Sequence, residues 1–351
     1  MEIQPKRAPL SMHINAGDFL PADESEKERL VVMRESVSFW KNGLRRLVRN
    51  PIAMISLAVL LIIFILSFIV PSSYPYTYDK QIRGSENLSP MQYSDDEKEA
   101  ISAGSKVFPH IMGTDNLGRD FAVRIMIGSR ISLTVGMVAA ALILLVGSVY
   151  GAVSGYFGGW TDMIMMRVVD IIYTIPDILI IVLLSVTLKV PLKALADTSP
   201  AFAWINTLGV GLICIFIVFT LLYWVGMARL VRGQILQLKE MEYVIAARAL
   251  GASHWRIIRK HLLNNSIGLL IITTTLEIPA SIFTESILSF LGLGVAAPLP
   301  SLGSLAKMGL DGLQSYPYRI LIPAIFIAVI ILAFNLLGDG LRDSFDPKLK
   351  E

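Results

Sequence analysis

Six apolar runs, each close to or above the length of a bilayer crossing, govern what this chain can fold into: residues 51–70, 131–150, 163–188, 205–225, 266–291 and 320–337. A helix needs about 17–25 such residues to cross the hydrocarbon core. Only 17% of the residues are charged and 54% are hydrophobic, against about 25% charged in a soluble domain. The expected fold class is an all-α polytopic membrane protein with six transmembrane helices.

Six crossings put both termini on one side, and the Lys and Arg distribution indicates which. With the N-terminus inside, twenty of the thirty-one fall in cytoplasmic segments. The stretch between the fourth and fifth runs holds seven, against two in each short outer loop. The expected layout is a cytoplasmic segment 1–50, a first helix 51–70, an external loop 71–130, a five-helix core 131–339 and a cytoplasmic tail 340–351. Residues 1–50 lack the short apolar stretch and cleavage site of a secretory signal. The first thirty or so, with Pro5, Pro9 and Pro21, read as loosely ordered. Near 36–49, Phe39, Trp40, Leu44, Leu47 and Val48 recur at helical spacing among basic residues. That suits a helix in the membrane interface, or a basic flank that fixes topology.

Within the core, Gly147, Gly151, Gly155 and Gly159 step by four, a spacing that lets helix backbones approach closely. It serves either a dimer contact or packing inside one chain, and the last two also suit a turn. Arg167 and Asp170 are three apart and so placed to neutralise each other on one helix. Pro176 should kink the third span.

Several kinds of chemistry are missing. There is no G-x-x-x-x-G-K-[ST] phosphate loop and no H-E-x-x-H motif, so ATP binding by that route is excluded and catalysis on this chain is not expected. The four histidines form no obvious metal set. A single cysteine, Cys214, rules out an internal disulfide framework, and a net charge of +3 gives no reason to expect nucleic acid.

The cytoplasmic stretch 239–264, KEMEYVIAARALGASHWRIIRKHLLN, has its own grammar. Glu242 to Leu250 reads as one helix, Gly251 suits the left-handed position that ends helices, and Ser253 is placed to cap a second helix from His254. Ala246, Ala247 and Ala249 keep part of the first helix thin enough to seat in a groove. Resting on lipid headgroups is the alternative.

Here a resemblance becomes specific. EYVIAARALGASHWRIIRKHLLNN resembles the EAA loop of ATP-binding-cassette importer permeases, in the form found in oligopeptide and dipeptide importers. In that family the loop seats in a cleft of the ATPase, which implies coupling roles for Ala246, Ala247, Arg248, Gly251, Ala252 and Ser253. The glutamate that names the loop is Ile245 here, and the proline expected after His-x-Leu is Asn264. HIMGTDNLGRD (110–120), GYFGGWTDMIMMRVVD (155–170), TESILSFLGLGVAAPLPSLG (284–303) and FNLLGDGLRDSFDPKLK (334–350) resemble further family segments, in order. Leu302 replaces a usual tryptophan, 189–204 is longer than usual and the first 38 residues are unmatched. The resemblance implies a type I importer permease core in a prokaryotic inner membrane. Its implied partners are a second homologous permease, two ABC ATPase subunits carrying ATP and Mg, and an extracytoplasmic peptide-binding protein. No cofactor is expected on this chain. Oligopeptides are the expected cargo, with dipeptides, nickel or opines as alternatives.

In the fifth run, Thr273, Glu277, Ser281, Glu285 and Ser289 step by four. Each step drifts about 40° around a helix, so the two glutamates differ by about 80°. Intramembrane carboxylates usually face water or a bundle interior. These five are therefore the candidate translocation-path residues, the alternative being glutamates with structural partners. Asp339, Arg342, Asp343 and Asp346 form a cluster expected to pair within itself or with Arg259 and Lys260. A secondary transporter would need an ion site between inverted repeats; Pro176 and Pro279 suggest broken helices, but no repeat is evident. A plain anchor or scaffold would not need glutamates within a span.

Overall fold

A computed structural model describes residues 39–295 and 297–345. Residues 1–38 and Asp346 lie outside the described residues. The chain divides into two compact units, Met1–Asn42 and Gly43–Glu351; of the first, the described residues are 39–42. Among the described residues there is no strand, only an isolated antiparallel bridge between Thr114 and Asp120.

The helices in order are α1 (Phe39–Arg49), α2 (Pro51–Phe68), α3 (Asp95–Ser102), α4 (Phe121–Phe157), α5 (Gly159–Thr174), α6 (Asp177–Thr198), α7 (Trp204–Leu208), α8 (Val210–Leu222) and α9 (Trp224–Leu238). They continue with α10 (Glu242–Ala249), α11 (His254–Arg256), which runs on as a π-helix over Ile257–Leu263, then α12 (Ile267–Leu291), α13 (Leu302–Leu310) and α14 (Tyr318–Phe345). Among the described residues, six segments are long and apolar enough to cross a membrane: 51–72, 121–157, 177–198, 210–238, 267–291 and 318–345.

α4 is the organising helix. Its 37 residues span about 55 Å, well beyond a hydrocarbon core of about 30 Å. The apolar run 131–150 covers only its middle, because Arg124 and Arg130 interrupt the pattern. Both find partners outside the helix. Arg124 donates to the Tyr78 carbonyl at 2.9 Å and lies 3.5 Å from Asp115. Arg130 donates to the Ser67 and Phe68 carbonyls, where cations suit a helix C-terminus.

One apolar core joins α4, α8, α9, α12 and the 239–264 stretch; a second joins α2, α4, α12, α13 and α14. The glycine spacing serves packing inside the chain. A Cβ on Gly151 would overlap the Ala228 carbonyl of α9, and Gly147 and Gly155 face Met227 and Arg232 of the same helix. Gly159 instead opens α5 at φ +53°, directly after the break at Gly158.

Three expectations are corrected. The run 163–188 is two helices: Ile175 is extended at ψ 130°, as the residue before a proline prefers, so the chain breaks at Pro176 and the crossing segment is α6. Pro279, expected to break a helix, lies inside continuous α12 and is buried, because packing on every side outweighs one missing backbone bond. Asp170 accepts from Arg229 of α9 at 2.8 Å rather than pairing with Arg167; a donor brought in by a packed helix outcompetes a neighbour three residues away. Asp339, Arg342 and Asp343 form no ion pair among the described residues.

Candidate functional site

The 239–264 stretch folds into a helical hairpin. α10 closes through two bonds, Gly251 N–H to the Arg248 carbonyl at 3.0 Å and Ala252 N–H to the Ala247 carbonyl at 3.1 Å. This is the Schellman pattern, which requires a left-handed residue after the cap, and Gly251 supplies it at φ +80°. Ser253 takes the N-cap position of α11 with extended backbone, but its side chain makes no capping bond, so the expected cap is conformational only.

One face of the hairpin is fixed and the other is free. Val244, Ile257, Ile258 and Leu262 are buried, and the half-buried Ala252 packs on the same core. The Tyr156 hydroxyl at the end of α4 bonds His254 Nδ1 at 2.8 Å. The Arg248 guanidinium lies 5.7 Å from the Tyr156 ring centre, and Lys239 Nζ donates to the Gly155 carbonyl at 3.0 Å. Below them Asp162 accepts both Arg232 Nε and Nη2, fixing α5 to α9. Ala246, Arg248, Gly251 and Ser253 are exposed, and Ala247 is half-buried. Beside them Ile245 is 55% and Leu250 is 87% exposed. Thus a thin, partly apolar edge projects from a rigid base. An adjoining cleft of about 560 Å³ is lined by Trp255, Arg256, Arg259 and Lys260.

The row in α12 divides. Thr273 and Glu277 are half-buried, whereas Ser281, Glu285 and Ser289 are buried inside the chain. Glu285 accepts from Ser132 of α4 at 2.8 Å and from Ser289 at 2.6 Å, so it has the structural partners that the path assignment does not require. The face of α12 open to its surroundings carries Ala280 and Phe283 instead. Ser132 was not legible as its partner, since nothing local marks a serine in an apolar helix.

At the other end of the bundle, G-T-D-x-x-G-R-D is a structural knot. Asp115 accepts Leu117 N–H, Arg119 N–H and Arg119 Nε at 2.7–3.0 Å, and Asp120 caps α4 through Val123 N–H. Gly118, at φ +68°, faces the Ile82 carbonyl so closely that a Cβ would overlap it. Arg319 and Tyr318 tie the start of α14 to Thr114, Asn87 and Leu88. Buried His110 bridges Asp120 at 2.7 Å and Glu97 at 3.2 Å, with the Tyr76 ring stacked at 4.4 Å. Burial pushes the imidazole pKa down, but the hydrogen bond and charge of Asp120, joined by Glu97, leave it raised. Burial and the same two carboxylates push Tyr76 up to about 12.

Comparison with known proteins places these features in one group. Residues 147–351 match the family model described as binding-protein-dependent transport system inner membrane component. Residues 38–90 match the N-terminal TM domain of oligopeptide transport permease C. The chain is 40% identical over 333 residues to an oligopeptide transport system permease protein of Bacillus subtilis, covering 95% of this chain and 97% of that one. It is 42% identical to a dipeptide transport system permease protein of the same organism, covering 95% and 93%. A glutathione transport system permease protein of Pectobacterium atrosepticum is 32% identical, covering 89% and 92%.

Proposed function

The chain belongs to the family of binding-protein-dependent transport system inner membrane components, and from that premise we propose that it is one permease half of a peptide importer, with oligopeptides as cargo. It is a multi-pass protein of a prokaryotic inner membrane. A second homologous permease completes the pathway, two ATPase subunits bind ATP and Mg, and an extracytoplasmic binding protein delivers the peptide. The N-terminus and the hairpin face the cytoplasm, in keeping with the Lys and Arg distribution.

The observation that carries this reading is the hairpin's division into a braced face and a bare one. Motion of an ATPase gripping Ala246 to Gly251 passes through Tyr156 and His254 to α4, and through the π-helix to α12. Thr273 and Glu277 are the path-lining residues of the row, with Ala280 on the open face beside them. The preference for oligopeptides is supported by the match of residues 38–90 to an oligopeptide permease domain.

The test is purification of the tagged chain from membranes, followed by uptake into proteoliposomes with labelled dipeptides and pentapeptides in competition. Co-purifying ATPase chains and ATP-dependent pentapeptide uptake are expected. Preparations that never carry ATP-hydrolysing chains would refute the importer role. Dipeptide-only uptake would refute the cargo.

A further inference from the structure

Val295, just beyond α12, and Leu302, the first residue of α13, are both tied to one carboxylate. Glu285 is completely buried, at 0% exposure. Its Oε1 accepts from Ser289 Oγ at 2.6 Å, and Ser289 Oγ accepts in turn from Val295 N–H at 3.1 Å. Its Oε2 accepts from Ser132 Oγ of α4 at 2.8 Å, and Ser132 Oγ accepts from Leu302 N–H at 3.4 Å. A hydroxyl has one proton to donate and two lone pairs to accept with. Each serine therefore relays a backbone amide to the same carboxylate.

The arrangement is an unusual way to hold a chain segment down. No Lys, Arg or His among the described residues pairs with Glu285. Apolar fastening is already present there, since Val295, Leu302 and Leu305 are buried. An apolar side chain of similar volume would fasten as well as or better than an unpaired buried carboxylate. What the carboxylate adds is direction and cooperative release, because breaking one link strands buried polar groups and weakens the others. These two anchors lie at the end of α12 opposite the hairpin, about 37 Å away for 25 residues.

We propose that Glu285 is the positioning residue of a latch: through Ser289 and Ser132 it keeps Val295 and Leu302 fastened to α12 and α4, and it lets go when these helices part at that end during transport. The latch rests on the permease reading for its purpose but not for its detection.

The test uses the full chain assembled with its importer partners, carrying Cys214→Ala and the reporter Val295→Cys. Val295 is buried, so labelling by a membrane-impermeant maleimide reads release. Ser132→Ala and Ser289→Ala should each raise the labelling rate several-fold, up to about tenfold, the population change expected for one lost buried hydrogen bond. Glu285→Met should raise it at least as much, and the serine changes should add nothing in that background. Ser129→Ala, a buried change on α4 outside the relay, should leave labelling at the parental rate. ATP hydrolysis without binding protein should rise in the relay variants alone. Parental labelling in both serine variants, or an equal rise in Ser129→Ala, overturns the latch. If Glu285→Met does not assemble, the two serine variants decide the outcome. Labelling is read without peptide, so expected labelling without peptide uptake upholds the latch and rejects the cargo reading.

Discussion

Gly251 separates the chain's own requirements from those of a docking partner. Its φ is +80°, and a Cβ built there has nothing within 4 Å. Within the chain, a leucine at this position costs only the left-handed backbone, about 1–2 kcal/mol, and asparagine costs less. Against a total stability of about 5–15 kcal/mol, neither change should unfold the protein. If an ATPase cleft closes around this edge, added bulk costs a further 1–3 kcal/mol or so of overpacking. At about 1.4 kcal/mol per tenfold, Gly251→Leu should lower ATP-driven uptake by roughly ten- to a hundredfold. Membrane level and thermal midpoint should barely move, and Gly251→Asn should fall between Leu and the parent. The assay is peptide uptake into proteoliposomes, scored beside retained ATPase and the melting curve. Parental uptake in Gly251→Leu would refute the docking assignment. A large fall in melting temperature would show that the hairpin's own fold had been misjudged.

Other outcomes follow from the geometry. Gly118→Ala combines a left-handed φ with overlap on the Ile82 carbonyl, so it should destabilise the outer knot by about 2–4 kcal/mol, read as lost protease resistance of residues 82–120. The His110 pKa is raised in the fold, so its stabilisation is complete below the unfolded value of about 6.5 and is lost as pH rises through the folded value. Hydrogen exchange in α3 should therefore quicken on the alkaline side, and His110→Gln should abolish that dependence. Tyr156→Phe deletes the bond to His254, worth about 1 kcal/mol; it should quicken amide exchange in α10 and α11 and leave α12 unchanged.

The hairpin shows how much of a site is legible in a sequence. The α10 boundary, the stop at Gly251 and the restart at His254 follow from local backbone preferences, and they stand as expected. Which side of the hairpin is free depends on Tyr156 and Gly155, almost a hundred residues earlier, and no local pattern announces them. The row in α12 makes the same point in reverse. Its four-residue step is visible in the sequence, yet the partner that makes Glu285 internal is Ser132, on another helix.

The sequence by itself determined six crossings and the all-helical class, because apolar length and backbone satisfaction in lipid leave few alternatives. It also determined the hairpin's turn, because only a residue free of Cβ strain sits easily at φ +80°. Tertiary structure alone decided that Asp170 meets Arg229, that Arg124 and Arg130 are tolerated in α4, and that Glu285 faces inward. Periodicity reports how a segment relates to its own axis. The fate of a buried charge is decided by whatever group another segment brings within hydrogen-bonding distance.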